Sequence, residues 1–170
     1  GLLSYTVGND TYGYSYSYDA LGRLTTVYPT QLSDGTLYNE YTSENAQYTY
    51  TQDELTKIDT ASTDYTFVYD YFGNRSAVKI GGGNIASYTY NSYNGKLNKV
   101  TYANGYSLRY TYDSLERTKS VEESLDGTTY AKIYEYSYNS EGNLTEYIDN
   151  KAGKHYTNVY DQKGRPSNVF

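Results

Sequence analysis

Tyrosines alternate with small polar residues along most of the chain. Tyr14, Tyr16 and Tyr18 are separated by Ser15 and Ser17, and Tyr106, Leu108, Tyr110 and Tyr112 by Ser107, Arg109 and Thr111. A period of two sends successive side chains to opposite faces of an extended strand, so each run predicts a β-strand with one phenol-rich face. The first run ends in Asp19-Ala20-Leu21-Gly22, which predicts a turn. Asp accepts backbone amides two and three residues on, and Gly supplies the positive φ that closes the turn. Leu24–Tyr28 then predicts the returning strand.

This strand-turn-strand unit recurs. "YSYDALGRLTTV" at Tyr16–Val27 returns as "FVYDYFGNRSAV" at Phe67–Val78 and "YTYDSLERTKSV" at Tyr110–Val121, where Glu116 replaces Gly. It returns again as "YSYNSEGNLTEY" at Tyr136–Tyr147 and "NVYDQKGRPSNV" at Asn158–Val169. Two copies are looser: "YTYNSYNGKLNKV" at Tyr88–Val100 has one residue more, and "YTYTQDELTKI" at Tyr48–Ile58 has one fewer and no Gly. The key Tyr stands at 18, 50, 69, 90, 112, 138 and 160, in steps of 32, 19, 21, 22, 26 and 22 residues. A near-constant period predicts a repeat architecture. Between copies, Asp34-Gly35, Gly81-Gly82-Gly83, Asn104-Gly105 and Asp126-Gly127 are hairpin signals. The expected fold is all-β: a single array over 1–170 of about seven consecutive antiparallel hairpins, with an irregular insertion around 29–47.

Composition sharpens this picture. Leu, Ile, Val and Phe number only 12, 5, 8 and 3, a fraction that elsewhere goes with disorder. Here 27 Tyr replace them, and a buried Tyr ring removes a large apolar area from water. The net charge of -6 is scattered along the chain. That acidity argues against nucleic acid, which selects a basic stripe. No apolar run reaches membrane-spanning length, so no membrane insertion is expected. The absence of Cys excludes disulfides and thiolate metal sites. No signal peptide is visible, and an excised fragment of a longer protein is expected.

Candidate chemistry is absorbed by the repeat. Asp19, Asp70, Asp113 and Asp161 are acid/base candidates by residue type, but each opens a turn, and Asn91 and Asn139 hold the same place in two copies. Arg23 and Arg165 are candidate anion ligands whose stems are expected to cover neighbouring Tyr rings. His155 is the only histidine, so no His-based metal cluster or Ser/His/Asp triad can form. It is expected on a strand over Lys154–Tyr160, partly exposed. The triple glycine lacks the following Lys-Ser/Thr and helix of a phosphate cradle, and "YNSEGN" and "SLDGTT" lack the spaced oxygens of a calcium loop. No cofactor is expected. The Tyr ladders, flanked by Asn, Gln and Asp, resemble sugar-binding surfaces in composition, but cross-strand packing already accounts for them.

The "YxYDxxGRLT" core, with "YANGYSLRYTYD" leading into the next copy, resembles the YD repeat of the Rhs family. That family includes bacterial Rhs and wall-associated polymorphic toxins, shell components of insecticidal toxin complexes, and teneurins. The resemblance covers nearly the whole chain, most strongly Gly13–Tyr28 and Tyr88–Phe170. It implies a β-ribbon spiralling into a hollow shell, which in toxin members encloses a toxic domain, and a secreted or cell-surface bacterial location. The C-terminal core segment rich in Asp, Pro and Gly that closes such shells has no match here, since Pro occurs only at 29 and 166. Seven repeats are too few to close a shell, so a curved open sheet is expected. The positions that carry the repeat are Tyr16, Tyr18, Asp19, Gly22 and Arg23; Tyr69, Asp70 and Gly73; Tyr90 and Gly95; Tyr110, Tyr112 and Asp113; Tyr136, Tyr138 and Gly142; and Tyr160, Asp161, Gly164 and Arg165.

The leading expectation is therefore a non-catalytic structural segment of an encapsulating shell. Its expected partners are the parent's neighbouring repeats, and an enclosed toxin domain. The alternative is a carbohydrate- or cell-surface-binding module using exposed Tyr/Asn faces. Unpaired end strands near Leu3–Gly8 and Arg165–Phe170 lead to an expectation of self-association.

Overall fold

The computed structural model describes residues 5–7, 12–33, 36–40 and 45–169. The Asp34-Gly35 hairpin signal, and Leu3, Ser4, Gly8 and Phe170 of the expected end strands, lie outside the described residues. Contacts divide the chain into two compact units, Gly1–Ile85 and Ala86–Phe170. Every described element is a strand, and every strand pair is antiparallel.

In the first unit the strands are β1 (Tyr5–Val7), β2 (Tyr12–Tyr18), β3 (Leu24–Ser33), β4 (Thr36–Glu40), β5 (Ala46–Thr51), β6 (Glu54–Thr60), β7 (Asp64–Tyr69) and β8 (Arg75–Ile80). Pairing follows chain order except at β4, which lies off the path against β3. β4 falls within the stretch 29–47 that departs from the repeat pattern. β3 is long enough to pair β5 through Thr26 and Val27 and β4 through Thr30–Ser33. Pro29, which has no N–H to give a ladder, lies between those two stretches.

The remaining strands are β9 (Gly83–Tyr90, in the second unit from Ala86), β10 (Leu97–Tyr102), β11 (Ser107–Tyr112), β12 (Thr118–Ser124), β13 (Ala131–Tyr138), β14 (Leu144–Asp149), β15 (Lys154–Tyr160) and β16 (Pro166–Val169). From β9 to β16 each pairs with the next in sequence. Short turns allow this order: each hairpin is closed locally before the chain moves on, so few long-range contacts are needed.

Register explains the two faces. Tyr110, Val121, Tyr134 and Asp149 stand opposite one another across β11–β14, while Thr111, Ser120, Glu135, Ile148 and His155 form the neighbouring row. The first row belongs to a tyrosine face and the second to a Ser/Thr/Glu face. There is no thick core. Among the described residues the buried apolar side chains are Ala77, Ala86, Val100, Val121 and Ile133. Half-buried phenol rings supply the rest of the apolar cover.

A bulge accompanies every copy. Ladders shift register at Ser17/Tyr18, Thr49/Tyr50, Val68/Tyr69, Leu97/Lys99, Thr111/Tyr112, Ser137/Tyr138 and Val159/Tyr160. In each case the extra residue sits in the returning strand: Tyr18 faces Leu24 and Ser17 faces Thr26, so Thr25 has no opposite number. A bulge raises local twist and re-aims the flanking side chain. The side chain re-aimed here is the key Tyr.

Candidate functional site

The repeat positions do not converge on one cluster. They are dealt out one set per hairpin, and each set forms a seam with the next hairpin. The seam starts at the turn. Asp19 Oδ1 accepts the amides of Leu21 and Arg23, each at 2.9 Å, and its backbone oxygen accepts the Gly22 amide at 3.0 Å. Asp113 does the same for Leu115, Arg117 and Glu116, Asp161 for Lys163, Arg165 and Gly164, and Asp70 for Phe72, Asn74 and Gly73. The bonds reach two and four residues on, where the sequence pattern predicted two and three. The loop holds one residue more than a simple β-turn, and a single oxygen bridges it.

The residue closing the loop turns back on the Asp. Arg23, Arg117 and Arg165 each donate Nε to the second carboxylate oxygen, at 2.7, 2.7 and 2.8 Å. Backbone amides from the closing Arg, then its side chain, hold Asp19 and Asp161 below the usual carboxylate range, and the same backbone bond leads at Asp113. Asn139 accepts the Asn143 amide at 2.9 Å, which shows that the loop needs an acceptor and not a charge. Asn91 closes a loop one residue longer, bonding Tyr93, with Gly95 donating to its backbone oxygen.

The clamped Arg then lies over the key Tyr of the next copy. The Arg23 guanidinium is 4.5 Å from the Tyr50 ring centroid, and Arg117 is 4.4 Å from that of Tyr138. Lys96 lies 6.0 Å from the Tyr112 ring. Arg165 keeps its Asp but is 72% exposed. The next Tyr completes the seam by reaching back. Tyr50 donates to the Leu24 carbonyl, Tyr69 to Leu55, Tyr112 to Leu97, Tyr138 to Thr118 and Tyr160 to Leu144, at 2.7 to 3.0 Å. The acceptor is the first residue of the previous returning strand in four of the five, and the second, Leu55, in β6. Sequence reasoning missed these acceptors, and missed Arg117 and Asn143, because a carbonyl carries no residue signature. The one clue was the fixed spacing from Tyr through the turn to the returning strand.

Of the other repeat residues, Tyr16 opposes Val27, Tyr18 opposes Leu24 and Tyr90 opposes Leu97 across their hairpins. Tyr110 is largely covered, and burial raises its phenol above the usual range. Gly22, Gly73, Gly95, Gly142 and Gly164 all take positive φ. Tyr136 stacks on Tyr147 at 5.4 Å, and Tyr147 is also stacked by Tyr134 and Tyr156 at 5.9 and 5.6 Å. Tyr147 lies on the middle strand of three, so neighbours cover both of its ring faces. His155 is exposed on β15, its Nε2 2.7 Å from Glu146 Oε1, and Ser137 donates to the other oxygen of that Glu at 2.9 Å. Here Glu stands between Ser and His, so the His does not touch the hydroxyl. Among the described residues no group of three His, Cys, Asp or Glu could hold a metal ion.

No protein-family model matches the chain, and no curated protein matches it in sequence. Solved structures do match. The TcdB2-TccC3-Cdc42 crystal structure superposes with a TM-score of 0.68 at 15% identity, covering 93% of this chain. TcdB2-TccC3-TEV gives 0.67 at 16% over 92%, and TcdB2-TccC3 gives 0.67 at 17% over 89%. The chain shares the fold of the TcdB2-TccC3 structures. It spans 9% of the length of each. At such low identity the seam residues themselves cannot be transferred, but a TcdB2-TccC3-like fold over nine-tenths of the chain agrees with the YD-repeat resemblance carried by the motif.

Proposed function

We propose that the chain is a non-catalytic wall segment of a larger secreted or cell-surface protein of the YD-repeat type, a single array of about seven repeats within an encapsulating β-shell. The observation that carries this reading is the seam. Every chemically attractive side chain of the repeat, the Asp, the Arg and the Tyr, is spent on holding one hairpin to itself or to the next. The fold shared with TcdB2-TccC3 over nine-tenths of this chain, yet a small part of that one, supports a segment of something longer. Its partners are then the parent's neighbouring repeats, with an enclosed toxin domain as cargo. Self-association of the isolated chain through end strands follows the same reasoning.

The carbohydrate reading draws on exposed aromatic faces. Stacking a sugar needs an open ring face; the Tyr147 ladder is stacked from both neighbouring strands, and the most exposed rings among the described residues, Tyr71 and Tyr93, stand at turn tips and not on a ladder, which favours the wall reading. Electron microscopy of the parent protein tests it: a hollow body containing this segment in its wall is expected. A solid or extended particle overturns the proposal, and selective, saturable binding on a glycan array replaces it with the alternative.

A further inference from the structure

One seam in the first unit is built differently. The copy around Tyr50 has no Asp directly after its key Tyr, and no Gly or Arg at its turn, which reads Thr51-Gln52-Asp53-Glu54. Thr51 pairs directly with Glu54, and Gln52 takes a φ of 55°. In register Glu54 stands where Arg23 and Arg117 stand, one residue before the carbonyl that the next Tyr bonds. Its side chain also goes to the same place. Glu54 Oε1 lies 2.9 Å from where a Cβ on Gly73 would be, as Arg117 Nη1 lies 3.9 Å from that point on Gly142 and Asn143 Nδ2 3.7 Å on Gly164. A carboxylate therefore occupies the position of a guanidinium.

Its surroundings are not adjusted to match. Among the described residues the Glu54 side chain has no hydrogen-bond or ion-pair partner, and Arg75 lies over the Phe67 ring at 4.9 Å while no cation lies over Tyr69, the next key Tyr. The following turn is also short of its cation, since Asp70 Oδ2 takes the Asn74 amide at 3.1 Å where other copies present an arginine. Between the two turns lies a cavity of about 360 Å³, lined by Thr51, Glu54, Thr56, Phe67, Tyr69 and Asp70 among others. The Asn143 seam, where a short neutral residue replaces Arg, also has a hollow, of about 170 Å³, but its carboxylate Asp161 is already paired with Arg165. Finally, the rim of the larger cavity carries an unpartnered aromatic pair. Tyr71 is 97% exposed and Phe72 74%, in edge-to-face contact at 5.5 Å.

We propose that this cavity binds the arginine side chain of a partner polypeptide. Its guanidinium lies in the cavity beside the Glu54 carboxylate, donating in a fork to Glu54 and to the Asp70 side of the cavity, while an apolar neighbour in the partner covers Tyr71 and Phe72. Planar, charge-assisted pairing is what a guanidinium does best with carboxylates, and sister copies in this chain already hold one at the same register. The inference stands apart from the wall reading: a wall needs no such site.

The test is a titration of the 170-residue chain, followed by backbone amide NMR, with blocked Leu-Arg-Leu, Leu-citrulline-Leu and Leu-Lys-Leu peptides. The arginine peptide is expected to give saturable shifts at Gln52, Glu54, Phe72 and Gly73, and the citrulline peptide none. Glu54→Gln is expected to weaken binding about tenfold or more, the loss of a charge-assisted pair. Glu54→Arg fills the place from within, abolishing binding and raising the Tm, which shows that the fold is intact. Equal response to citrulline or lysine, shifts that persist in Glu54→Gln, or no shift at millimolar peptide overturns the proposal.

Discussion

The Tyr138 hydroxyl donates to the carbonyl of Thr118 at 3.0 Å across 20 residues of sequence, and Arg117, the residue before that carbonyl, lies over the same Tyr ring. Three parts of one seam are thus interdependent: Asp113 sets Arg117, Arg117 covers Tyr138, and Tyr138 ties off the strand that follows Arg117. Arg117 Nη1 also reaches the Asn139 carbonyl at 3.3 Å. With so few buried apolar side chains among the described residues, such seams are what make successive hairpins cohere.

Tyr138→Phe keeps the ring and deletes the bond, leaving the Thr118 carbonyl unpaired at a half-buried seam. A loss of about 1 kcal/mol is expected. Tyr138→Ala removes the platform under Arg117 as well and is expected to lose about 2–4 kcal/mol. Tyr71→Ala, at an exposed turn tip, should stay within about 0.5 kcal/mol of the parent. Urea melts of the three variants check the order. Equal losses at Tyr138 and Tyr71 would remove the seam from the account of stability.

The turn glycines give a second set. Gly22 and Gly73 have φ of 79° and 80°. A β-branched residue is strained there, so Gly22→Val and Gly73→Val should each lose roughly 1–3 kcal/mol. Gly73→Val should be the worse, because its Cβ would also meet Glu54 Oε1 at 2.9 Å. Glu116 sits at the equivalent place with a φ of 62°, so Glu116→Gly should relieve strain and gain up to about 1 kcal/mol. Thermal melts decide, and a destabilised Glu116→Gly would show that its side chain contributes more than its backbone strain takes away.

Much of this architecture was legible in the chain and some was not, for physical reasons. Alternation at Tyr106–Tyr112 located β11, and the Asp-x-x-Gly spacing located the turns, since period and turn chemistry are local properties. The bulge beside every key Tyr was invisible: one extra residue in the returning strand changes no residue type. The Leu24, Leu55 and Leu144 acceptors were invisible because a backbone carbonyl is the same whatever side chain it carries. At β3, a turn signal and a Pro were visible, but not that one strand would hold β4 at one end and β5 at the other. The turn that carries Glu54 was readable only as one residue short and without a Gly. Whether the gap closes or stays open depends on how Thr56 and Tyr69 pack around it.

Thr30 offers a prediction from a flaw. It is 1% exposed on β3, paired with Gly13 on one side and Glu40 on the other, and its Oγ1 has no hydrogen-bond partner among the described residues. A buried, unpaired hydroxyl is destabilising, and Val matches Thr in shape without it. Thr30→Val should therefore gain about 1 kcal/mol. A shift of the urea midpoint to higher concentration with unchanged slope is the expected readout. A loss of stability would mean that the hydroxyl finds a partner in solution.

Acid should loosen the turns. Asp19, Asp113 and Asp161 have pKa values below the ordinary 3.8, in each case first because the backbone amide of the closing Arg bonds the carboxylate. The native state thus binds fewer protons than the unfolded state in that range, and stability rises with pH there. The contribution is fully present above about pH 4, the unfolded value, and is lost as pH falls through the lower folded values. Tyr phenols and Lys ammonium groups do not titrate in this window, so they do not mask it. The triple variant with Asn at all three positions should keep its loops, as Asn139 does, and lose the Arg pairs. Its Tm at pH 7 should be lower than the parent's, and its decline between pH 4 and pH 2 should be shallower. Differential scanning calorimetry at pH 7, 4, 3 and 2 measures both. A triple variant that declines as steeply as the parent would place the acid sensitivity elsewhere, with Asp126 the next carboxylate to replace, since backbone amides of Thr129 and Thr128 hold it furthest below its ordinary value.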